Sequence, residues 1–540
     1  MPSSAGGRRT LLFLLPFAVA VLLRIYPYLV YGAPYSTDSF SPIRNTQELL
    51  AQSPTPLGGN PIFDGYNIYW PANSIFSAAA SLVFNVPPIQ VMPLLFPVVG
   101  AVTVMVFFLI AEEVSGSAVI ASIASLFLAT AGFDAIFTAA VTKETYALPL
   151  FMLSIFLLMR KTDWKTGALF TVTSAALAIS QHATALLFLV VASSVLLVRS
   201  VLFERRGARL GSKVLLPLIA GAITLAYFLV YADAGLGQFS GLVTGQSAVL
   251  AFAFLAVFIA PVAYHAVSRP SRLVWVEGGF ILAAAVGILA AGTRFALISS
   301  APAVSATLLY SAAPYVLGGA LAVIGYQTLQ SMRDRANYAF VASWLAAVLA
   351  LGFMAVFSNV SDGLSIVYRL LTFIAAPAIL CASIAIQRFL AGTRHAGLAK
   401  VLVVVLILTL CVPSAYQTYA ASIQKQSLLG GQWAYQQSDL AGGGWLAANS
   451  GHADINVSGD LHMQYLLAGL YGIKVDVKSG YDYLKSPTTA QRPAYLVTYS
   501  LMGTNGYVQS VYGSPLPGNW TTALQDNSPV VYDNGNVVLW

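Results

Sequence analysis

The sequence predicts a polytopic α-helical membrane protein of about thirteen transmembrane helices, followed by a C-terminal external α/β domain. Of the 540 residues, 58% are hydrophobic and only 9% are charged. Soluble domains carry about 25% charged residues, so this composition indicates an integral membrane protein. A change to a polar, Gly- and Tyr-rich composition after residue 417 marks the start of the external domain.

The candidate spans are apolar runs bounded by charges or by clusters of Gly, Pro and Asn. In chain order they cover 11–31, 90–111, 117–132, 145–159, 166–180, 183–198, 214–231, 248–266, 273–291, 302–326, 337–357, 369–387 and 399–417. Four early runs are only 15 or 16 residues long, so we expect tilted, kinked or half-spanning helices there. The first run has no small-residue cleavage site and is predicted to be retained as a span.

An odd number of spans places the two termini on opposite sides of the membrane. With a cytoplasmic N-terminus, seventeen Lys and Arg residues before residue 418 fall in inner loops and five fall outside. Lys and Arg favour cytoplasmic loops, so this orientation is predicted, with the C-terminal domain external. The same rule explains the net charge of +7, which therefore gives no reason to expect nucleic acid as a partner.

The predicted domains are a transmembrane domain over 1–417, with a large first external loop at 32–89, and an external domain over 418–540. In the external domain YLVTYSL and PVVYDNGNVVLW alternate as strands do, and Asp533–Asn536 is typical of a hairpin turn. Trp445–Asn449 and Met463–Tyr471 are predicted helices. Both cysteines lie in apolar runs, so no disulfide framework is expected.

The stretch from Tyr35 to Trp70 concentrates charge in a chain that otherwise avoids it. Asp38 follows the first span, so we expect it at the outer membrane surface. A carboxylate there can act as general base toward an acceptor hydroxyl. The alternative is an Asp that caps the helix predicted near 42–50.

Arg24, Tyr26 and Pro27 form an Arg-x-Tyr-Pro pattern near the end of the first span, and Asp38 follows in the loop. This pattern resembles the GT-C superfamily of membrane glycosyltransferases. The resemblance implies a GT-C-like fold in the lipid bilayer and a sugar taken from a polyprenyl- or dolichyl-phosphate carrier. It also implies Asp38 as the catalytic base and a glycan, lipid or protein as the acceptor.

Further site candidates follow in the first and second external loops. Asp64, Tyr66 and Trp70 combine polar groups with aromatic faces, which suits a sugar; the alternative is an interfacial aromatic belt. The resemblance implies an acidic residue of the second loop near the base, here Glu144. Glu144 could equally be a first-turn residue of a helix capped by Thr142. A divalent cation, Mg²⁺ or Mn²⁺, could be held by Asp38 and Glu144.

Three more candidates belong to the predicted spans or their outer ends. Arg369 could bind the phosphate of the lipid carrier, with Arg294 as a second choice; ordinary snorkelling is the alternative. His182 lies where the resemblance implies a functional histidine, and a buried structural histidine is the alternative.

The topology resembles the oligosaccharyltransferase branch of GT-C, but the WWDYG motif of that branch is missing. The sequence therefore favours transfer of a monosaccharide over transfer of a whole oligosaccharide to asparagine. Two other classes stay open. A transporter or flippase should show inverted repeats and mid-bilayer charges, which we do not find. The other is a non-catalytic membrane scaffold that displays the external domain, and no feature of the sequence excludes it.

Overall fold

The computed structural model describes residues 4–52, 67–161, 163–205, 214–233, 245–267, 306–332, 335–357, 363–422, 434–450, 456–509 and 513–540. Among the described residues before 423, the helices are α1 (Ser4–Tyr31), α2 (Phe40–Ala51), α3 (Ala72–Phe84), α4 (Pro88–Ser115), α5 (Ala118–Thr130), α6 (Gly132–Thr138), α7 (Lys143–Met159), α8 (Trp164–Ser180), α9 (His182–Arg205), α10 (Leu215–Val230), α11 (Gly245–Val267), α12 (Ala306–Ser331), α13 (Arg335–Phe357), α14 (Gly363–Gly392) and α15 (Ala396–Ser422).

Length and apolar composition allow eight of the described helices to cross a membrane, or nine if the bent pair α5–α6 is one span. Each predicted span corresponds to one of these fifteen helices, except the run 273–291, which lies outside the described residues. The prediction of a polytopic helical membrane protein is confirmed.

The short run predicted at 117–132 ends in a bend of 64° between α5 and α6. Gly132 N donates a hydrogen bond of 3.1 Å to the Tyr315 hydroxyl, and that hydroxyl donates to Gln417 Oε1 at 2.5 Å. Irregular backbone is tolerated inside a membrane protein where other groups satisfy its polar atoms. Here a tyrosine from another helix satisfies the amide freed at the break.

The described chain divides into two compact units. The bundle unit comprises Met1–Leu22, Gly100–Ala135 and Tyr146–Gln417. The loop unit comprises Leu23–Val99, Ile136–Thr145 and Thr418–Trp540. The loop unit thus gathers the first predicted external loop, the second one and the C-terminal segment, which are far apart in sequence.

The bundle unit is held by an apolar core and by ion pairs at helix ends. Phe151 is fully buried, and its ring contacts those of Phe373 and Trp344 at centroid distances of 5.0 and 6.1 Å. Arg9 pairs with Glu112 through two bonds of 3.0 and 2.7 Å. Because the Arg9 side chain is exposed to solvent, which screens its charge, this pair contributes little to stability.

The loop unit contains a five-stranded sheet in the order β2-β1-β3-β7-β6. Its parallel strands are β1 (Val457–Ser458), β2 (Val475–Asp476) and β3 (Tyr495–Tyr499), and its antiparallel strands are β6 (Tyr532–Asp533) and β7 (Val537–Leu539). A separate pair joins β4 (Tyr507–Val508) and β5 (Gly513–Ser514). The helices are α16 (Gln437–Asn449), α17 (Leu461–Leu466, continued by a π-turn over Leu467–Tyr471), α18 (Val477–Lys485), α19 (Met502–Asn505) and α20 (Trp520–Asn527).

This C-terminal part confirms the α/β prediction. The predicted hairpin exists as β6 and β7, and Gly535 takes the positive φ of 85° that its turn requires. Both predicted helices exist as α16 and α17 with its π-turn.

Candidate active site

Asp38 lies in a short 3₁₀ turn, Thr37–Ser39, that runs directly into α2. The turn begins at Ser36, whose φ is 76°, and its hydroxyl accepts a hydrogen bond of 3.4 Å from Asp38 N. A non-glycine residue held in such a sparsely populated region costs on the order of 1–3 kcal/mol. Such strained backbone is concentrated at functional sites. The Asp38 side chain is half-buried, so part of it is open to solvent.

Ser39 fixes the other side of this turn. It is fully buried, and its hydroxyl donates to Tyr35 O at 2.5 Å and accepts from Val141 N at 2.9 Å. One hydroxyl therefore closes the turn around Asp38 and ties it to the second predicted loop.

The second loop is shaped by the cap of α7. Thr142 Oγ1 accepts from Thr145 N at 3.0 Å, so Lys143 and Glu144 form the first helical turn. Glu144 is only 7% exposed. A carboxylate in this position is favoured by the helix dipole.

Lys143 was not predicted as a site residue. Its ammonium donates to Asn67 Oδ1 and lies 5.8 Å from the centre of the Trp70 ring. Trp70 is fully buried, so its ring meets the Lys143 ammonium inside the protein. The sequence signal was present, because a lysine beside Glu144 in an apolar chain is unusual, but only the fold brings it to Asn67.

Arg24, the first residue of the Arg-x-Tyr-Pro pattern, is fully buried. Its Nε donates to Thr138 Oγ1 at 2.7 Å, and Tyr26 packs against Tyr419 at 5.8 Å. Within the loop unit this pattern therefore joins the end of α1 to the second loop and to the end of α15.

Three predicted site residues, Asp64, Tyr66 and Arg294, lie outside the described residues. His182 is the first residue of α9 and is half-buried, as is Arg369 within α14. Both belong to the bundle unit, whereas Asp38, Trp70 and Glu144 belong to the loop unit. The roles predicted for all these residues stay predictions.

The described part of the chain has no group of three or more His, Cys, Asp or Glu side chains placed to hold a metal ion. A Mg²⁺ site often uses only one or two carboxylates together with substrate phosphates. Asp38 and Glu144 therefore stay the candidates for a cation that a phosphorylated substrate would help to bind.

A buried polar cluster in the C-terminal part escaped the sequence analysis. Asp460 is fully buried; it accepts from the Tyr499 hydroxyl at 2.6 Å and from Met463 N at 3.0 Å. Asp439 accepts from Gln436 N at 2.7 Å and from Asn536 Nδ2 at 2.8 Å. Burial raises the pKa of both carboxyls, and the nearby His462 opposes that rise.

His462 lies at the centre of this cluster and is 1% exposed. Its ring stacks on Tyr435 at 3.9 Å, and it contacts Tyr499 at 4.8 Å. Burial beside Asp460 also raises the pKa values of Tyr435 and Tyr499, which keeps both hydroxyls protonated. An Asp three residues before Met463 predicts a helix cap, but nothing local in the sequence predicts the stacked rings.

No protein-family model matches the chain, and no curated protein matches it. Solved structures do. The apo form of the Archaeoglobus fulgidus oligosaccharyltransferase aligns over 92% of this chain and 70% of that chain, with a TM-score of 0.60 and 12% identity. The same enzyme tethered with an acceptor peptide containing the NVT sequon covers 92% and 69%, with a TM-score of 0.54 and 12% identity.

The fold is GT-C-like. The identity is too low to carry more than the fold. ArnT from Cupriavidus metallidurans, bound to undecaprenyl phosphate, aligns over 99% of this chain and 98% of that chain at 14% identity; its TM-score of 0.40 adds nothing to the assignment. The fold that the resemblance of Arg24, Tyr26, Pro27 and Asp38 implied is thereby confirmed.

Proposed function

We propose that the chain is a membrane glycosyltransferase that moves a sugar from a polyprenyl- or dolichyl-phosphate carrier to an acceptor on the external face. The observation that carries the proposal is the Asp38 turn within a GT-C-like fold. A strained Ser36 precedes Asp38, a buried Ser39 clamps it to the second loop, and the carboxylate stays part-exposed. Strained backbone of this kind clusters at active sites and at segments that hold ligands.

The proposed reaction is a single displacement at the anomeric carbon. Asp38 takes the proton of the acceptor hydroxyl while the acceptor oxygen bonds to the anomeric carbon. The bond from that carbon to the carrier phosphate breaks, and the phosphate leaves with the electron pair. One base without a nucleophilic second carboxylate gives inversion, by analogy with inverting glycosidases.

Other residues would bind the two substrates. Arg369, with Arg294 as a second choice, would hold the phosphate of the carrier. A guanidinium group can bind a phosphate through two parallel hydrogen bonds. Asp64, Tyr66, Glu144 and His182 would orient the sugars, and the fully buried Trp70 would act through Lys143, which lies over its ring. Mg²⁺ or Mn²⁺, if bound at Asp38 and Glu144, would neutralise charge on the leaving phosphate.

The acceptor we propose is a hydroxyl of a glycan, lipid or protein, not an asparagine amide. The A. fulgidus structure carries an acceptor peptide with an NVT sequon. This chain lacks the WWDYG motif, and the stretch after Trp445 reads WLAANSGHADINVSGDLHMQYLL instead. The proposed orientation has the N-terminus in the cytoplasm and the C-terminal domain outside, as the distribution of Lys and Arg favours.

The proposed function is tested by asking which class of sugar donor the protein uses. Purified full-length protein in lipid nanodiscs would receive radiolabelled sugar on either a polyprenyl phosphate or a nucleotide, with cell-envelope acceptors. We expect transfer from the lipid-linked sugar alone. Transfer from the nucleotide sugar would contradict the proposed donor. No transfer from a panel of lipid-linked hexoses would favour the non-catalytic scaffold.

A further inference from the structure

Four aromatic rings form a continuous column in the loop unit, which we call the ring column: Phe40, Tyr435, His462 and Tyr499. Phe40 meets Tyr435 edge to face, with centroids 4.6 Å apart. Tyr435 stacks on His462 at 3.9 Å and 9°, and His462 contacts Tyr499 at 4.8 Å. Phe40 and Tyr435 are at most 1% exposed, so the column is closed to water at the α2 end.

Hydrogen bonds fix the far end of the ring column in the sheet. The Tyr499 hydroxyl donates to Asp460 at 2.6 Å, and Tyr499 is the last residue of β3. The Tyr435 hydroxyl donates to His462 O at 2.8 Å. The rings are therefore held by strand β3 and by the first turn of α17.

The backbone of the π-turn after α17 also presses on α2. A Cβ added to Gly469 would lie 2.9 Å from Phe40 Cβ and 3.4 Å from Ser41 N. The guanidinium of Arg44 donates to Ala468 O at 3.4 Å. Two independent contacts, one by rings and one by backbone, thus locate the start of α2 against the C-terminal domain.

The start of α2 is also the end of the Asp38 turn. Thr37–Ser39 continues into Phe40 without an intervening loop, so a displacement of Phe40 moves the Asp38 backbone with it. We propose that the C-terminal domain positions Asp38 through the ring column and Gly469. Phe40, Tyr435 and His462 are then positioning residues that act on Asp38 through the start of α2. This inference rests on the proposed function, in which Asp38 is the base.

The variant that tests it most sharply is Gly469→Ala. Its new methyl group meets the Cβ of Phe40, which cannot swing aside as the end of a long side chain would. The matched control is Gly503→Ala, in the same domain, where an added Cβ meets nothing within 4 Å. A second pair replaces the central ring: His462→Ala removes it, and His462→Phe restores a ring of similar size.

Two measurements on the full chain in nanodiscs read the result. We expect Gly469→Ala to lower kcat for sugar transfer by about 10- to 100-fold, with KM for the lipid-linked donor changed less than about threefold, because the base is displaced and donor binding is not. Hydrogen exchange of the peptide covering residues 35–44 should quicken. Gly503→Ala should change neither quantity, and His462→Phe should recover most of the kcat lost in His462→Ala.

The two measurements distinguish a failure of the positioning proposal from a failure of the proposed glycosyltransferase function. Unchanged kcat and unchanged exchange in Gly469→Ala, in a protein whose transfer depends on Asp38, would overturn the inference and leave the function standing. If the wild-type chain transfers no sugar, the proposed function fails. The exchange measurement then decides alone whether the domain holds this turn: faster exchange supports the coupling, and unchanged exchange overturns it.

Discussion

At the scale of single residues, the candidate base is defined by its neighbours. Ser36 has a positive φ. The Ser39 hydroxyl donates one hydrogen bond and accepts another, and both partners are backbone atoms. From the sequence alone both residues are unremarkable loop serines. Asp38 could be predicted from its distance to the first span and from the preceding Arg-x-Tyr-Pro. The hydrogen bond between Ser39 and Val141, which we call the clamp, could not be predicted, because the two residues are 102 positions apart.

Ser39→Ala tests this clamp. The change leaves the Val141 amide without its buried acceptor, so we expect a loss of about 1–3 kcal/mol in the free energy of unfolding of the loop unit. Sugar transfer should fall about tenfold or more, because Asp38 loses its fixed geometry. Steady-state kinetics and thermal unfolding in detergent provide the two measurements.

The control is Ser77→Ala. Ser77 is also fully buried, but its hydroxyl donates only to Asn73 O within its own helix, at 2.6 Å. Equal losses of kcat in both variants would show that Ser39 has no special relation to Asp38.

At the scale of elements, hydrophobic runs predicted the long helices well, because a run of apolar residues has few other stable conformations in lipid. Helix α3 (Ala72–Phe84) was missed, since it is short and its first turn is polar. The run 117–132 was expected to be tilted, kinked or half-spanning, and the structure confirms this with a bend of 64° at its end. The partner of the break could not be predicted, because the Tyr315 hydroxyl that accepts from Gly132 N lies 183 positions away. Contacts of this kind depend on a distant residue and not on local preference.

The contact between α12 and α14 gives a prediction at this scale. A Cβ at Gly325 would overlap the carbonyl group of Cys381, so the two backbones meet there without a side chain between them. Gly325→Ala must push the helices apart, and we expect it to lower stability by about 1–3 kcal/mol or more. The melting temperature in detergent measures the effect.

Gly318→Ala, in the same helix, is the matched control. An added Cβ there meets nothing within 4 Å. Alanine favours a helix over glycine by about 0.5–1 kcal/mol, so this variant should be neutral or slightly more stable. Similar destabilisation by both changes would contradict the close approach at Gly325.

At the scale of the whole molecule, the composition shift at residue 417 coincides with the start of the last segment of the loop unit. The predicted topology places both external loops and that segment on one side of the membrane, but it does not predict that 23–99 and 136–145 cluster with the segment. Their association depends on contacts such as Phe40 with Tyr435 and Arg44 with Ala468, which join positions about four hundred residues apart. Hydropathy predicts which segments insert into the membrane, but it does not predict contacts between distant residues.

The proposed orientation predicts which side of the membrane each surface faces. Cys381 and Cys411 are buried, so a single new surface cysteine can report its own location. In intact cells, Asp526→Cys in α20 should react with a membrane-impermeant maleimide. Lys161→Cys, in the predicted inner loop before α8, should react only after permeabilisation. The reverse pattern would overturn the orientation.

The measurement that tests the central claim most directly is the single-turnover rate of sugar transfer in wild type and Asp38→Asn. Asparagine keeps the shape of the side chain but cannot take a proton at neutral pH, so we expect the rate to fall by about 10²–10⁴-fold. Asp482→Asn, at a position in α18 of the C-terminal domain, should leave it unchanged. A rate in Asp38→Asn within about threefold of wild type, with unchanged thermal unfolding, would show that Asp38 is not the base.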